Sequence, residues 1–337
     1  MSNGPESGIC IMTDTAAEKG AQISYLTFDE AFVLAKEEVD RILTASPYIV
    51  RRFTKHLAGS KGKFIRAMSL LTCAMDGENR IKPDAVKLAA AIEVLHLATL
   101  VHDDVIDDAD IRRGIPTLNK KHDNRIAVIC GDYLLCASLK LASSVSNRRD
   151  YLDIDMPYYM TRICTGELNE QLNNGNFSLT VYQYFKIIEG KTAALFEASF
   201  HAGAYMAGCN TEELNLYKRM GRHLGMIFQL IDDCMDFEAD EKVAMKPVQS
   251  DFGKNVITLP IIHSFQKIIG LKDRAKKREV TQEELNDAVL KSEGLNYTRS
   301  IAKKYYDKYL VSLERLNITE VKKGGLEAIL NRAYRVF

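Results

Sequence analysis

From Pro83 onward, apolar residues return every three and four positions. Ala85, Leu88, Ala89, Ile92, Leu95 and Thr99 share that spacing, which places them on one face of a helix started by Pro83-Asp84. The same face continues to Asp103 and then Asp107. The stripe therefore turns from apolar to anionic along one helix. Buried carboxylates must be paired or metal-bound, so the stripe predicts a cavity lining, greasy at depth and charged at the mouth. A second helix, predicted over 212–237, repeats the design: Gln229, Asp232, Asp233 and Asp236 follow i, i+3, i+4, i+7, with Gly225 and Gly221 one and two turns earlier. Glycine inside a helix costs about 1 kcal/mol against alanine, so this pair predicts a close helix crossing or room for a ligand. Further helices are predicted over 124–144, 151–172, 192–207 and several C-terminal segments, a dozen or so in all and mostly antiparallel. No period-two runs bounded by turn pairs occur. The expected fold class is all-α, one large helical bundle with a central cavity over 21–337. A polar tail, 1–20, is expected to be disordered.

Composition narrows the function classes. Lys plus Arg and Asp plus Glu number 45 each, for a net charge of zero. No global field draws nucleic acid or an acidic membrane, so any polyanion must be held by local cations. Seven cysteines without CxxC spacing argue against a disulfide framework or a zinc site. Cys73, Cys130, Cys136 and Cys234 sit in apolar stretches and are expected to be buried thiols. The start lacks a basic region followed by an apolar core. The most apolar stretch, Ala85 to Val101, carries Lys87, Glu93 and His96, too polar for a membrane span. A cytoplasmic location is the expectation. Gly190-Lys191-Thr192 imitates the end of a P-loop, but Phe185 stands where that motif needs glycine.

The chemistry is carried by two clusters, Asp103-Asp104 with Asp107 and Asp232-Asp233 with Asp236. Carboxylates at i and i+4 lie about 5–6 Å apart on one helix face, and each raises the other's pKa. Two such clusters facing each other call for hard divalent cations. Mg²⁺ suits them, because it takes one or two carboxylates and fills its shell with water and substrate phosphates. That points to a diphosphate substrate.

Around these clusters stand Gly62-Lys63-Phe64-Ile65-Arg66, Glu93 with His96, Arg112-Arg113-Gly114, Gly131-Asp132, Lys191-Thr192, Lys246-Pro247 and Thr258-Leu259-Pro260. Singly, each is an ordinary surface charge or core residue. In this order, and above all from His96 to Thr117, the chain resembles the trans-polyprenyl diphosphate synthases, the head-to-tail isoprenoid elongation enzymes. The resemblance runs from about Leu43 to Ser264. It implies that Asp103 and Asp107, supported by Asp104, hold Mg²⁺ on the allylic diphosphate. Asp232, with Asp233 and Asp236 nearby, would hold a further ion, about three in all. Arg112 would grip the allylic diphosphate, and Lys63, Arg66, His96 and Arg113 would form the isopentenyl diphosphate pocket. Lys191, Thr192 and Gln229 would sit over the reacting carbon, with Lys246 and Lys254 as further phosphate ligands. A homodimer is implied, with a heteromer possible and at most peripheral membrane contact. The chemistry agrees: breaking an allylic C–O bond leaves a carbocation and a diphosphate, and fixed cations stabilise the departing charge.

Four positions depart from the family pattern. The family commonly has Arg at Phe64, Pro at Ala67 and glycine at Met245 and Asn255. The resemblance also implies that bulky residues four and five positions before the first aspartate would stop chain growth early; here those positions are Thr99 and Ala98. Both are small, so a product of about six to eight isoprene units, the quinone side-chain type, is the expectation. The competing readings are a short-chain farnesyl or geranylgeranyl diphosphate synthase and a non-catalytic subunit of a heteromeric synthase. Head-to-head condensation or terpene cyclisation fits less well, since Lys63, Arg66 and His96 form a pocket those reactions do not need.

Overall fold

The structure, a computed structural model, describes residues 24–59, 62–238 and 256–335. The tail 1–20 and the positions Met245, Lys246, Lys254 and Asn255 lie outside them. The described chain runs α1 (Phe28–Thr44), α2 (Tyr48–Leu57), α3 (Ile65–Ala74), α4 (Pro83–Ile106), a hairpin of β1 (Ile111–Arg112) and β2 (Ile115–Pro116), and α5 (Leu118–Lys121). It continues with α6 (Asn124–Ala142), α7 (Arg148–Ile154), α8 (Met156–Leu172), α9 (Val181–Ile188), a π-helical turn (Glu189–Ala193), α10 (Ala194–Met206) and α11 (Thr211–Glu238). Then come α12 (Leu259–Lys267), α13 (Leu271–Lys276), α14 (Gln282–Lys291), α15 (Gly294–Glu314) and α16 (Glu320–Tyr334).

Local chemistry sets these boundaries. Thr27 accepts from the Glu30 amide while Glu30 returns to Thr27, a capping box that starts α1. Pro83 opens α4 at a position where a missing N–H costs nothing. The helix expected over 151–172 is broken instead. Asp155 adopts φ +51° and ends α7, then caps α8 by accepting from the Tyr158 amide, with Pro157 in the first turn. The arginine pair lies at the tip of the hairpin. Arg112 pairs with Ile115, and Arg113 (φ +51°) and Gly114 (φ +80°) supply the two left-handed positions that a two-residue turn requires.

Two cores share one helix. The first gathers around α4, with Ala35 of α1, Leu70 and Leu71 of α3 and Leu134 of α6. The second gathers around α11, with Tyr309 of α15 and Leu326 of α16. α10 lies between them, giving Ala198 and Ala202 to the first core and Phe196 and Phe200 to the second. By length and composition α4 could cross a membrane, yet about two-thirds of that stretch (67%) is buried in the protein, as befits a core helix. The Ala85, Leu88, Ala89, Ile92 and Leu95 stripe is fully buried. Cys73, Cys130 and Cys234 are buried as expected, but Cys136 is exposed. It lies two positions from the fully buried Leu134, on the opposite side of α6.

Gly221 and Gly225 mark a crossing of backbones. A Cβ on Gly221 would sit 2.7 Å from the Phe196 carbonyl oxygen, and one on Gly225 would strike the backbone of Ala193. α11 thus lies directly against the π turn and α10.

Candidate active site

The C-terminal end of α4 forms the first wall. Asp103 and Asp107 stand one turn apart there, and Asp104 is buried. Arg112 Nε donates to Asp104 Oδ1 at 2.6 Å. Asp104 thus orients Arg112, which is compatible with the supporting role expected of it beside Asp103 and Asp107. Opposite them is a feature the sequence reading missed. Lys191 Nζ lies 2.8 Å from Glu167 and is also hydrogen-bonded to Glu170, both on α8. Burial pushes the Asp103 carboxyl up to about 7; Lys191 and Arg112 oppose the shift, and Glu167 and Asp107 add to it. Burial alone would lower Lys191, but Glu170, Glu167 and Asp103 outweigh it and keep the ammonium charged. Burial raises the Glu170 carboxyl as well. The only available signal for this clamp was two glutamates at i, i+3 on one predicted helix.

The π turn carries Lys191 toward the first wall and Thr192 toward the second. Its geometry follows from a crossing with α8. A Cβ on Gly190 would come within 2.8 Å of Gly166 Cα, and one on Gly166 would collide with the Lys191 amide, so both positions need glycine. π turns of this kind frequently lie at functional sites.

α11 forms the second wall through an ordered relay. The Thr192 hydroxyl donates to Gln229 Oε1 at 2.8 Å, and Gln229 Nε2 donates to Asp233 Oδ1 at 2.8 Å. The Tyr184 hydroxyl donates to the other oxygen of Asp233. Because Asp233 can only accept when ionised, the relay has one direction and uses the Thr192 hydroxyl as a donor, leaving its oxygen able to accept. Asp233 and Asp236 are buried, while Asp232 is partly exposed. Arg335, just past α16, donates to Asp232 Oδ1 at 3.1 Å. Neither Tyr184 nor Arg335 was expected here.

A narrow cleft of about 40 Å³ lies beside the first wall and is lined by Gly62, Phe64, Glu93, His96 and Arg113 among others. The Arg113 guanidinium arches over Gly62. Arg66 is buried with its guanidinium 4.5 Å from the Phe196 ring centre, and its Nε has no hydrogen-bond partner among the described residues. Burial lowers its pKa to about 10, opposed by Glu93. His96 is held well below the ordinary histidine range by burial and by Arg66, Arg113 and Arg112, so it is neutral near pH 7. A buried, under-partnered arginine beside a second arginine and a neutral histidine is a place prepared for an anion. Lys63 is exposed and does not line the cleft. Phe64 caps α3 with φ +50° and stacks edge-on against Phe32. Ala67 keeps an amide proton that proline would lack, and donates it to Glu93 Oε1 at 2.9 Å.

The donor set suits Mg²⁺. Among the described residues no three acidic, histidine or cysteine side chains converge into a finished metal cage. An ion that fills most of its shell with water and phosphate does not need one. The crowded, partly protonated Asp103 is the kind of ligand such an ion would complete.

Comparison with known proteins agrees with this arrangement. Residues 47–292 match the family described as Polyprenyl synthetase. Heptaprenyl diphosphate synthase component 2 of Bacillus subtilis is 30% identical over 303 residues, 88% of this chain and 85% of that protein. Geranylgeranyl diphosphate synthase of Sulfolobus acidocaldarius is 34% identical over 274 residues, 78% and 83% of the two chains. A solved polyprenyl synthase from Caulobacter crescentus, complexed with calcium and isoprenyl diphosphate, superposes with a TM-score of 0.82 at 26% identity, covering 91% and 95%. With its helical architecture, its paired aspartate walls and this match, the chain belongs to the polyprenyl synthetase family of all-α prenyltransferases, enzymes that elongate prenyl chains.

Proposed function

We propose that this protein condenses isopentenyl diphosphate head-to-tail with an allylic diphosphate. The proposed product is an all-trans polyprenyl diphosphate of about six to eight isoprene units. The bridge made by the π turn carries this reading: Lys191 faces Asp103, while Thr192 is tied through Gln229 to Asp233. One segment thus addresses both acidic walls at once.

Asp103 and Asp107 on one side and Asp232 on the other would hold Mg²⁺. Bound there, it would neutralise the diphosphate and the charge that develops as the allylic C–O bond breaks. Arg112, aimed by Asp104, grips the allylic diphosphate, and the Lys191 ammonium adds a fixed positive charge near the leaving oxygens. The Thr192 oxygen, its proton committed to Gln229, stabilises the allylic cation without a covalent adduct. Arg66, Arg113 and neutral His96 receive isopentenyl diphosphate, with Lys63 at the rim, and its double bond attacks the cation. The final proton leaves to a diphosphate oxygen. Lys246 and Lys254 remain candidate phosphate ligands, and Asp236 a supporting residue of the second wall.

Ala98 is buried and Thr99 half-buried, its hydroxyl donating to the His96 carbonyl at 2.8 Å. Neither is bulky, which supports the longer product. Incubating the purified protein with Mg²⁺, an allylic starter and labelled isopentenyl diphosphate tests both claims. Chiefly C15 product overturns the length, and no product overturns the reaction. Ala98→Phe is expected to shorten the product, and an unchanged length removes Ala98 from the floor.

A second reading has a specific support. The Bacillus subtilis relative is named component 2, so this chain could act as one of two components. Activity that appears only when a second protein is added would favour it over the homodimer proposed here.

A further inference from the structure

Behind the π turn, facing away from the aspartate walls, lies an open groove of about 650 Å³, within the size range of small-molecule sites. α8 forms one bank and the N-terminal half of α11 the other, and Glu189 and Gly190 form the floor. Five cationic side chains line it: Arg162, Lys186, Lys218, Arg219 and Arg222. Against them stand two carboxylates, Glu189 and Glu197. The chain as a whole is neutral, so a local excess of three positive charges is not the overflow of a basic protein. Both carboxylates are already engaged. Glu197 accepts from Arg162 at 2.8 Å, and Glu189 is paired with Arg222 at 2.8 Å and Lys186 at 3.4 Å. Lys218 and Arg219 have no carboxylate partner among the described residues. Lys218 and Arg219 are thus the cations left to meet an incoming anion.

We propose that this groove is a second anion site that takes a diphosphate group, free or carried by an isoprenyl chain, and that its occupancy bears on Lys191. Three guanidinium forks suit the paired oxygens of phosphates better than single carboxylates, and the excess charge matches a polyanion. An anion on Arg219 and Arg222 loosens the hold of Arg222 on Glu189, which begins the π turn two residues before Lys191. Where Gly166 and Gly190 touch, backbone lies against backbone, so a shift of the turn is carried to the catalytic side. This coupling rests on the proposed reaction, whereas the anion site does not.

The test is peptide-resolved lysine acetylation of the full chain in EDTA, with and without inorganic diphosphate, farnesyl diphosphate, or sodium chloride of equal ionic strength. Lys218 and Lys186 are expected to be protected several-fold by diphosphate and not by the salt control. Protection by inorganic diphosphate assigns the site to the free anion. Protection by farnesyl diphosphate alone assigns it to the lipid-borne group. R219E is expected to remove protection of Lys218 while keeping basal turnover, and R219Q serves if R219E fails to fold. D103N, inactive by expectation, should keep the protection, so the site is read even if the reaction proposal fails. Equal acetylation with and without diphosphate, or equal protection by salt, overturns the site. Inhibition of turnover by inorganic diphosphate is expected to contain a component not relieved by substrate and absent in R219E. Purely competitive inhibition in both proteins overturns the coupling.

Discussion

The two aspartate walls are built from the same pattern and finished differently. In each, the second aspartate turns inward to hold a neighbour: Asp104 holds Arg112, and Asp233 holds Gln229 and Tyr184. The first aspartate of each is the more accessible. Their surroundings then diverge. Asp103 faces Glu167 and Asp107, and the lysine nearest to it is already shared by two glutamates. Asp232 receives Arg335 from the end of the chain. Asp103 thus sits in a crowd of carboxylates, while Asp232 is paired directly with an arginine. Identical motifs can differ in their demand for metal because that demand is set by what stands opposite them.

Removing Asp103 should have the largest effect. Asp103→Asn is expected to lower kcat by about three orders of magnitude, the scale of losing a group that stabilises transition-state charge. In metal-free buffer the same change should stabilise the fold. The sign follows from linkage: the folded Asp103 carboxyl titrates at about 7, above the unfolded value near 4. The folded state then holds a proton that the unfolded state has released, so stability falls as pH rises from about 4 to 7. The penalty, discounted for partial exposure, is about 2 kcal/mol at pH 8. Thermal melts in EDTA across that range should show the slope in the parent and lose it in Asp103→Asn. Asp232→Asn should show no such gain, because it strips a partner from Arg335. Equal shifts in the two variants would erase the distinction between the walls.

The lysine clamp ranks next. Replacing Glu167 and Glu170 together with glutamine frees the Lys191 ammonium from its two anchors. A kcat loss of about ten- to a hundredfold is expected, the scale of a mispositioned catalytic group, with little change in KM for isopentenyl diphosphate. Should KM rise and kcat hold, the pair shapes a binding pocket and does not position the lysine.

Much of this was legible in the chain before any coordinates. The stripe leading to Asp103 and Asp107 and the register of Gln229 with Asp232, Asp233 and Asp236 depend on spacing within one helix, which sequence reports directly. The glycines at 221 and 225 pointed to a tight crossing or room for a ligand, and the structure shows the crossing. What spacing cannot report is which helix faces which. Glu167 and Glu170 read as ordinary polar positions until α8 crosses the π turn at Gly166 and Gly190. Arg335 stands 103 positions from Asp232, and nothing local marks it as a partner. The break at Asp155 escaped notice because its cap depends on a left-handed backbone that a hydrophobic period does not encode.

Histidines bound the acid side of the comparison. His201 is lowered to about 4, first by burial and then by Lys218, and its ring lies 3.1 Å from the Tyr159 hydroxyl. His223 is also lowered to about 4, by burial and then by Lys308. Both bind a proton more readily unfolded than folded, so stability is complete above about 6.5 and is lost as pH falls from there toward 4. Asp103 works in the opposite direction across an overlapping range. His201→Gln should flatten the acid limb by about 2 kcal/mol without moving the Asp103 slope. A variant that changes both limbs would mean the two groups are coupled through α10.

Arg335→Ala is the finest test. The pair with Asp232 is partly exposed on both sides, 25% and 37%, so it contributes about 0.5 kcal/mol, little in a thermal melt. Its effect should appear in metal dependence. In the proposed reaction Mg²⁺ would share the Asp232 carboxylate with Arg335, so removing the arginine should lower the Mg²⁺ needed for half-maximal turnover about twofold. Raised salt should shrink that difference, because the competing charge is screened. A higher Mg²⁺ requirement would give Arg335 the opposite role, a ligand of the diphosphate that arrives with the metal. Its buried Nη1, without a hydrogen-bond partner among the described residues, would then be the atom that makes the contact.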